Sequence, residues 1–149
     1  MRTPGLALAV LIPLVAAVIS TAALAQPAPT SNYTSIEATP AKPVQLGYHA
    51  SAHKNCTPAP LPTIRVIQVP KSGILTVRRA LLTTDKIAGC PGLKIPAQVV
   101  FYQARAGATG SDHIVYEVTD FNGEVGTYDV TTTIKDAPKR SSPAKNQKI

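Results

Sequence analysis

Residues 44 to 136 are patterned with a period of two. Ile114, Tyr116 and Val118 are apolar while His113, Glu117 and Thr119 are polar, as a strand with one buried face requires. Tyr128, Val130 and Ile134 alternate in the same way with Asp129, Thr131 and Thr133. Asp120-Phe121-Asn122-Gly123 separates these runs, and Asn-Gly tolerates the positive φ angles of a tight hairpin, so the two are expected to be antiparallel neighbours. Thr63 to Val69 and Ile74 to Thr83 are rich in β-branched residues and flank the turn signal Pro70-Lys71-Ser72-Gly73, which predicts a second hairpin. Val99-Val100-Phe101-Tyr102, within Gln98 to Ala104, is apolar at every position and is expected to be a central strand covered on both faces. Val44 to His53 adds a candidate strand, and Thr84 to Ala88 has room for one short helical turn. Short strands without a helical stripe predict an all-β antiparallel sandwich of six to seven strands.

The ends are patterned differently. Arg2 precedes an apolar run from Leu6 to Ile19, and Ala23-Leu24-Ala25 follows; this reads as a signal peptide over residues 1–25, cleaved after an A-x-A site. Neither a twin-arginine pair nor a lipobox accompanies it. The exported product is therefore expected in the periplasm or outside the cell, with no transmembrane segment once the signal is gone. Residues 26–43 are dominated by Pro, Ala, Ser and Thr and are expected to form a flexible leader. Residues 137–149 are read as a basic, disordered tail. Export also places Cys56 and Cys90, the chain's two cysteines, in an oxidising compartment, and we expect them to be paired.

Charge refines this picture little. The net +7 is concentrated at the C-terminus, where Lys139, Arg140, Lys145 and Lys148 stand without an acid; they are candidates for contact with a polyanion. Residues 44–136 carry nine Lys or Arg against seven Asp or Glu. Tail and leader lack an aromatic set suited to stacking nucleobases, and together with export this argues against a nucleic acid partner.

One stretch resembles a known family. Phe101-Tyr102-Gln103-Ala104, then Gly107-Ala108-Thr109-Gly110-Ser111-Asp112 with the alternating strand through Tyr116 to Asp120, then Gly123, is similar to the C-terminal half of bacterial Ig-like and cadherin-like repeats. Pro70-Lys71-Ser72-Gly73 with Leu75 and Val77 resembles the hairpin those repeats place before their middle strands. The resemblance implies an Ig-like sandwich, here in single copy and with a cysteine pair added. The residues read alone give compatible roles: Gly107 and Gly110 allow a sharp corner, and Asp112 accepts hydrogen bonds from its own turn. Tyr116 places its ring in the core and sends its hydroxyl to a backbone acceptor.

Candidate chemistry is sparse. Cadherin-like relatives use acidic loops for calcium, and Asp112, Asp120, Asn122, Glu124 and Asp129 are the oxygen donors on offer. Only Asp120 and Asn122 keep an EF-hand-like spacing, so a solvated hairpin rim is expected and no cofactor is assigned. His49, His53 and His113 are the chain's histidines. On a strand His49 and His53 would lie about 13 Å apart, too far to share a metal. No G-x-S-x-G elbow is present. The expectation is a non-enzymatic exported module that binds a protein or an envelope polymer, with a small metal-binding accessory protein or hydrolase using His49, His53 or His113 as the alternative.

Overall fold

The computed structural model describes residues 30–135; the signal-peptide reading and the basic-tail reading fall outside them. Seven strands form two sheets: β1 (Thr30–Ala38), β2 (Pro43–His49), β3 (Thr63–Gln68), β4 (Gly73–Thr84), β5 (Leu93–Ala104), β6 (Gly110–Thr119) and β7 (Val125–Ile134). One sheet has the order β1-β7-β6-β3 and the other β2-β5-β4. Among the described residues there is no helix, and Thr84 to Ala88 runs from the end of β4 into bends and a turn. No helix of the described residues is long and apolar enough to cross a membrane.

The core lies between the sheets and follows the two-residue alternation. Val100, Tyr102 and Ala104 of β5 meet Ile114, Tyr116 and Val118 of β6 and Val130 and Ile134 of β7. β5 is the central strand of its sheet. Both of its faces are covered over much of its length, with Ile95, Ala97 and Val99 buried on one and Val100, Tyr102 and Ala104 on the other, while Phe101 is half-buried beside the Arg78 guanidinium, 5.9 Å from the ring centroid. Pro96 is tolerated because β2 pairs with β5 only from Gln98 onward, so no donor is needed on that side at Pro96.

Three expectations are corrected. Thr30–Ala38, read as part of the flexible leader, is a strand, and it pairs in parallel with β7 from Thr30↔Gly126 to Ala38↔Ile134; the sandwich is therefore not wholly antiparallel. Only Ala38 of this strand is buried, so its order comes from backbone pairing with a segment far along the chain, which composition does not register. The second correction concerns Pro70–Gly73. β3 pairs with β6 and β4 with β5, so this segment carries the chain from one sheet to the other and is not a hairpin turn. The third is the β6–β7 turn, where the hairpin itself is present but spans five residues. Only Gly123 takes a positive φ, 85°. The Gly123 N–H donates to Asp120 O at 3.1 Å and the Asp120 N–H to Glu124 O at 3.0 Å, a turn closed by a left-handed glycine.

Gly73 shows how tightly the inter-sheet corner is built. A Cβ placed there would lie 2.6 Å from Gln103 O and 2.7 Å from Tyr102 Cζ. Neither a strand carbonyl nor a fully buried ring can yield easily. Gly73→Ala is expected to lower stability by about 2–3 kcal/mol, measured by urea denaturation, whereas Gly126→Ala, where a Cβ meets nothing nearer than Tyr128 Cε2 at 3.5 Å, should cost less.

Candidate functional site

Three loops gather at one end of the sandwich: residues 50–62 between β2 and β3, 85–92 between β4 and β5, and 120–124 between β6 and β7. Each is held by local bonds. In the first, Ala52 bridges Pro58, Ala59 N–H donates to Ser51 O at 2.9 Å, and Asn55 Oδ1 accepts from the Thr57 hydroxyl at 2.6 Å. In the second, Asp85 Oδ1 accepts the Gly92 N–H at 2.6 Å. In the third, Asp120 Oδ1 accepts the N–H groups of Asn122 and Glu124 at 2.8 and 2.9 Å. The first two loops are joined by the Cys56–Cys90 disulfide, Cα–Cα 5.6 Å, and Cys56 sits there at a φ of 62°, a conformation a non-glycine residue keeps only when its surroundings enforce it.

Between these loops lies a cleft in two adjoining parts of about 410 and 750 Å³. Ala50, Ser51, Lys86, Ile87, Asp120 and Glu124 line both. The inner part is floored by Tyr48, His49 and Tyr128. In the outer part His53 meets Phe121 edge to face, with centroids 5.1 Å apart. The Lys86 ammonium lies 4.9 Å over the Tyr48 ring, whose hydroxyl bonds Thr84 Oγ1 at 2.5 Å. Aromatic surfaces thus alternate with two cations, Lys54 and Lys86, and two carboxylates, Asp120 and Glu124.

Beneath the cleft is a buried polar-aromatic cluster. The Tyr116 ring stacks on Tyr128, centroids 5.1 Å and planes 8° apart, and His49 meets Tyr128 edge-on at 4.6 Å. The Tyr116 hydroxyl bonds His49 Nε2 at 3.2 Å and not the backbone acceptor expected from sequence. His49 reaches it because β2 faces β6 across the core, and because a Cβ on Gly47 would sit 3.3 Å from that hydroxyl. Burial raises the pKa of both tyrosines, so their hydroxyls keep their protons.

Burial pushes the His49 imidazole down from 6.5 to about 4. The unfolded chain takes up this proton near 6.5, the folded chain only near 4. Stabilisation is therefore complete above the unfolded value and is lost as pH falls through the folded one, up to about 3 kcal/mol in all. His49→Leu is expected to lose this part of the pH dependence. The check is the difference between its unfolding free energy and that of the unsubstituted chain, followed across this window by urea denaturation.

The remaining sequence-predicted residues are distributed elsewhere. Asp112, buried near the start of β6, stands eight residues from Asp120 along one strand, about 27 Å, so the acids proposed for calcium do not converge. Asn122 and Glu124 accompany Asp120 on the hairpin loop, while Asp129 lies on β7, 2.6 Å from His113 Nε2. Among the described residues no three His, Cys, Asp or Glu side chains are grouped to hold a metal ion. Gly107 and Gly110 turn the β5–β6 connection at φ 77° and 84°. Lys139, Arg140, Lys145 and Lys148 lie outside the described residues.

Asp112 has a different role from the one its own turn suggested. Oδ1 accepts the Lys71 N–H at 2.8 Å and the His113 N–H at 3.1 Å. Oδ2 accepts the Ser72 N–H at 2.8 Å and the Tyr102 hydroxyl at 3.1 Å. One carboxylate therefore clamps the β3–β4 corner to β6 and to the core tyrosine of the opposite sheet. The sequence singled out Asp112 but not these partners, of which Lys71 and Ser72 lie 41 and 40 residues away. It also missed Tyr48, Lys86, Phe121 and Tyr128 as cleft residues, because only the loop arrangement brings them together.

No family model and no curated protein matches the chain. The solution structure of Amebosin overlays with a TM-score of 0.39 and 11% identity, covering 72% of this chain and 99% of that one. At that score the likeness supports no inference about fold or function.

Proposed function

We propose that the chain is an exported, non-enzymatic Ig-like module that holds a protein or polymer of the cell envelope in its loop-end cleft. The observation that carries this reading is the cleft itself: three internally bonded loops, two of them joined by a disulfide, present aromatic and charged side chains around an open hollow. Binding sites concentrate on loops held by a rigid scaffold, and here the Tyr116–His49–Tyr128 cluster packs directly beneath the cleft.

The Ig-like part is supported by strand order. In an Ig-like sandwich the second strand pairs with the fifth and the fifth with the fourth, while the third, sixth and seventh form the facing sheet. That is the order found here, with β1 placed beside β7. The disulfide joins two end loops and does not span the sheets as an antibody-type bridge does. The non-enzymatic part is supported by how the candidate groups are engaged. His49 bonds the Tyr116 hydroxyl, which burial keeps protonated, His113 bonds Gln68 and Asp129, and the Asp120 carboxylate is held by its own loop, so no serine, threonine or cysteine side chain stands beside a base in these contacts. Export is supported by the disulfide, which forms and persists in oxidising compartments.

The test is retention of envelope components on the immobilised chain, compared with a Tyr48→Ala, Lys86→Ala double variant. A retained component should be released at least about tenfold more readily by the variant while the thermal midpoint changes little. Retention equal on both proteins, or no greater than on an unrelated sandwich, removes the proposal.

A further inference from the structure

β4 occupies one edge of the three-stranded sheet. It pairs with β5 at twelve consecutive positions, from Gly73↔Ala104 to Thr84↔Leu93, and its other side is unpaired among the described residues. Two other edges are blunted: β2 and β3 have seven and six residues, and each contains a register shift. β4 has twelve residues, no proline and no bulge. Such an edge offers a row of backbone donors and acceptors to another extended chain. Along it Ile74, Val77 and Leu81 are 54%, 38% and 58% exposed, and Arg78 and Arg79 between them are exposed as well.

Charge is divided between the sheets. The strands β2, β4 and β5 contain Arg78, Arg79 and Lys94 and no acid. Glu37, Asp112, Glu117 and Asp129 all belong to the other sheet.

We propose that the free edge of β4 is a docking site for an extended acidic segment of a partner protein, which adds a fourth strand to this sheet and sets its carboxylates against Arg78 and Arg79. Backbone pairing supplies affinity whatever the partner's sequence, and the arginines supply the sign. Because adjacent residues of a strand point to opposite faces, the matching feature is a pair of consecutive acids flanked by apolar or β-branched residues. The same arginines disfavour two other occupants. A second copy of the chain, paired antiparallel along all of β4, would set Arg78 of one copy opposite Arg79 of its partner, like charge against like. The chain's own residues 137–149 carry Lys139, Arg140, Lys145 and Lys148 and no acid. One device thus attracts an acidic strand and rejects basic ones. This surface is distinct from the loop-end cleft and does not rest on the function proposed for it.

The probe is a synthetic peptide of about ten residues, alternating valine and threonine, with two adjacent glutamates at its centre. One control replaces the glutamates by lysines, and another methylates alternate backbone nitrogens. On the intact chain the glutamate peptide is expected to bind at least about tenfold tighter than the lysine peptide and to weaken in high salt. It should also slow amide exchange along β4 but not along β1 or β3, and the methylated peptide should not bind. An Arg78→Glu, Arg79→Glu variant with an unchanged thermal midpoint should reverse the preference. Failure of the glutamate peptide to bind, equal binding of both charged peptides, binding that survives methylation, or protection at another edge overturns the proposal. If the double variant does not fold, the three peptides on the unaltered chain decide it alone.

Discussion

Replacing Cys56 and Cys90 together by alanine is expected to lower the unfolding free energy by about 4 kcal/mol, the chain-entropy value for a cross-link closing 34 residues. A domain of this size has about 5–15 kcal/mol in all, so the variant should be largely unfolded in moderate urea where the parent is intact. Hydrogen bonds within the two loops persist without the sulfurs, but nothing else covalent holds one loop to the other. Cys56 would be free to leave its left-handed conformation, and the wall formed by Ala50–Lys54 would part from the one formed by Lys86–Ala88. Retention of a cleft ligand should accordingly fall further than the population of folded protein does. Urea denaturation of the variant, with the reduced parent protein as a second sample, checks the stability. A loss below about 1 kcal/mol would show that the loops are held by their local bonds.

Asp112→Ala is expected to cost about 3–4 kcal/mol, because it strands the N–H groups of Lys71, Ser72 and His113 and the Tyr102 hydroxyl in one step. Asp112→Asn keeps the shape and one accepting oxygen, but turns an amide donor toward groups that also donate, so an intermediate loss is expected. The two substitutions separate the space the side chain fills from the hydrogen bonds it accepts. Hydrogen exchange gives the finer readout: the Lys71 and Ser72 amides should lose protection in both variants ahead of global unfolding. Equal, small effects of Ala and Asn would show that the corner is held by Gly73 against Tyr102 alone.

Both predictions concern contacts between segments distant in the chain, and these divide what was legible from what was not. The core strands were legible because burying one face of a pleated strand imposes a two-residue period that no tertiary detail can alter; Ile114, Tyr116 and Val118 point inward for that reason. The β6–β7 hairpin was legible because its turn chemistry is local. Pro70–Gly73 had equally good turn chemistry and gave the wrong pairing, since period and turn residues do not say whether the next strand lies beside the last or across the core. Asp112, bonding the Lys71 and Ser72 amides from β6, helps fix that choice.

β1 shows the same limit from the other side. Thr30–Ala38 has too little apolar surface to announce itself, and β7 gives it order through backbone bonds that any sequence can make. The candidate site was the least legible part. His49 could be named as a possible ligand but not as the partner of the Tyr116 hydroxyl, and nothing marked Tyr48, Lys86, Phe121 or Tyr128 as a cleft residue.

By itself the sequence determined an all-β chain, the inward face of its central strands and one cysteine pair, because burial, alternation and local turn geometry are properties of short stretches. Which strands pair, which end gathers the loops, and which edge stays open were decided only in the tertiary structure. Those outcomes depend on side chains tens of residues apart meeting in space.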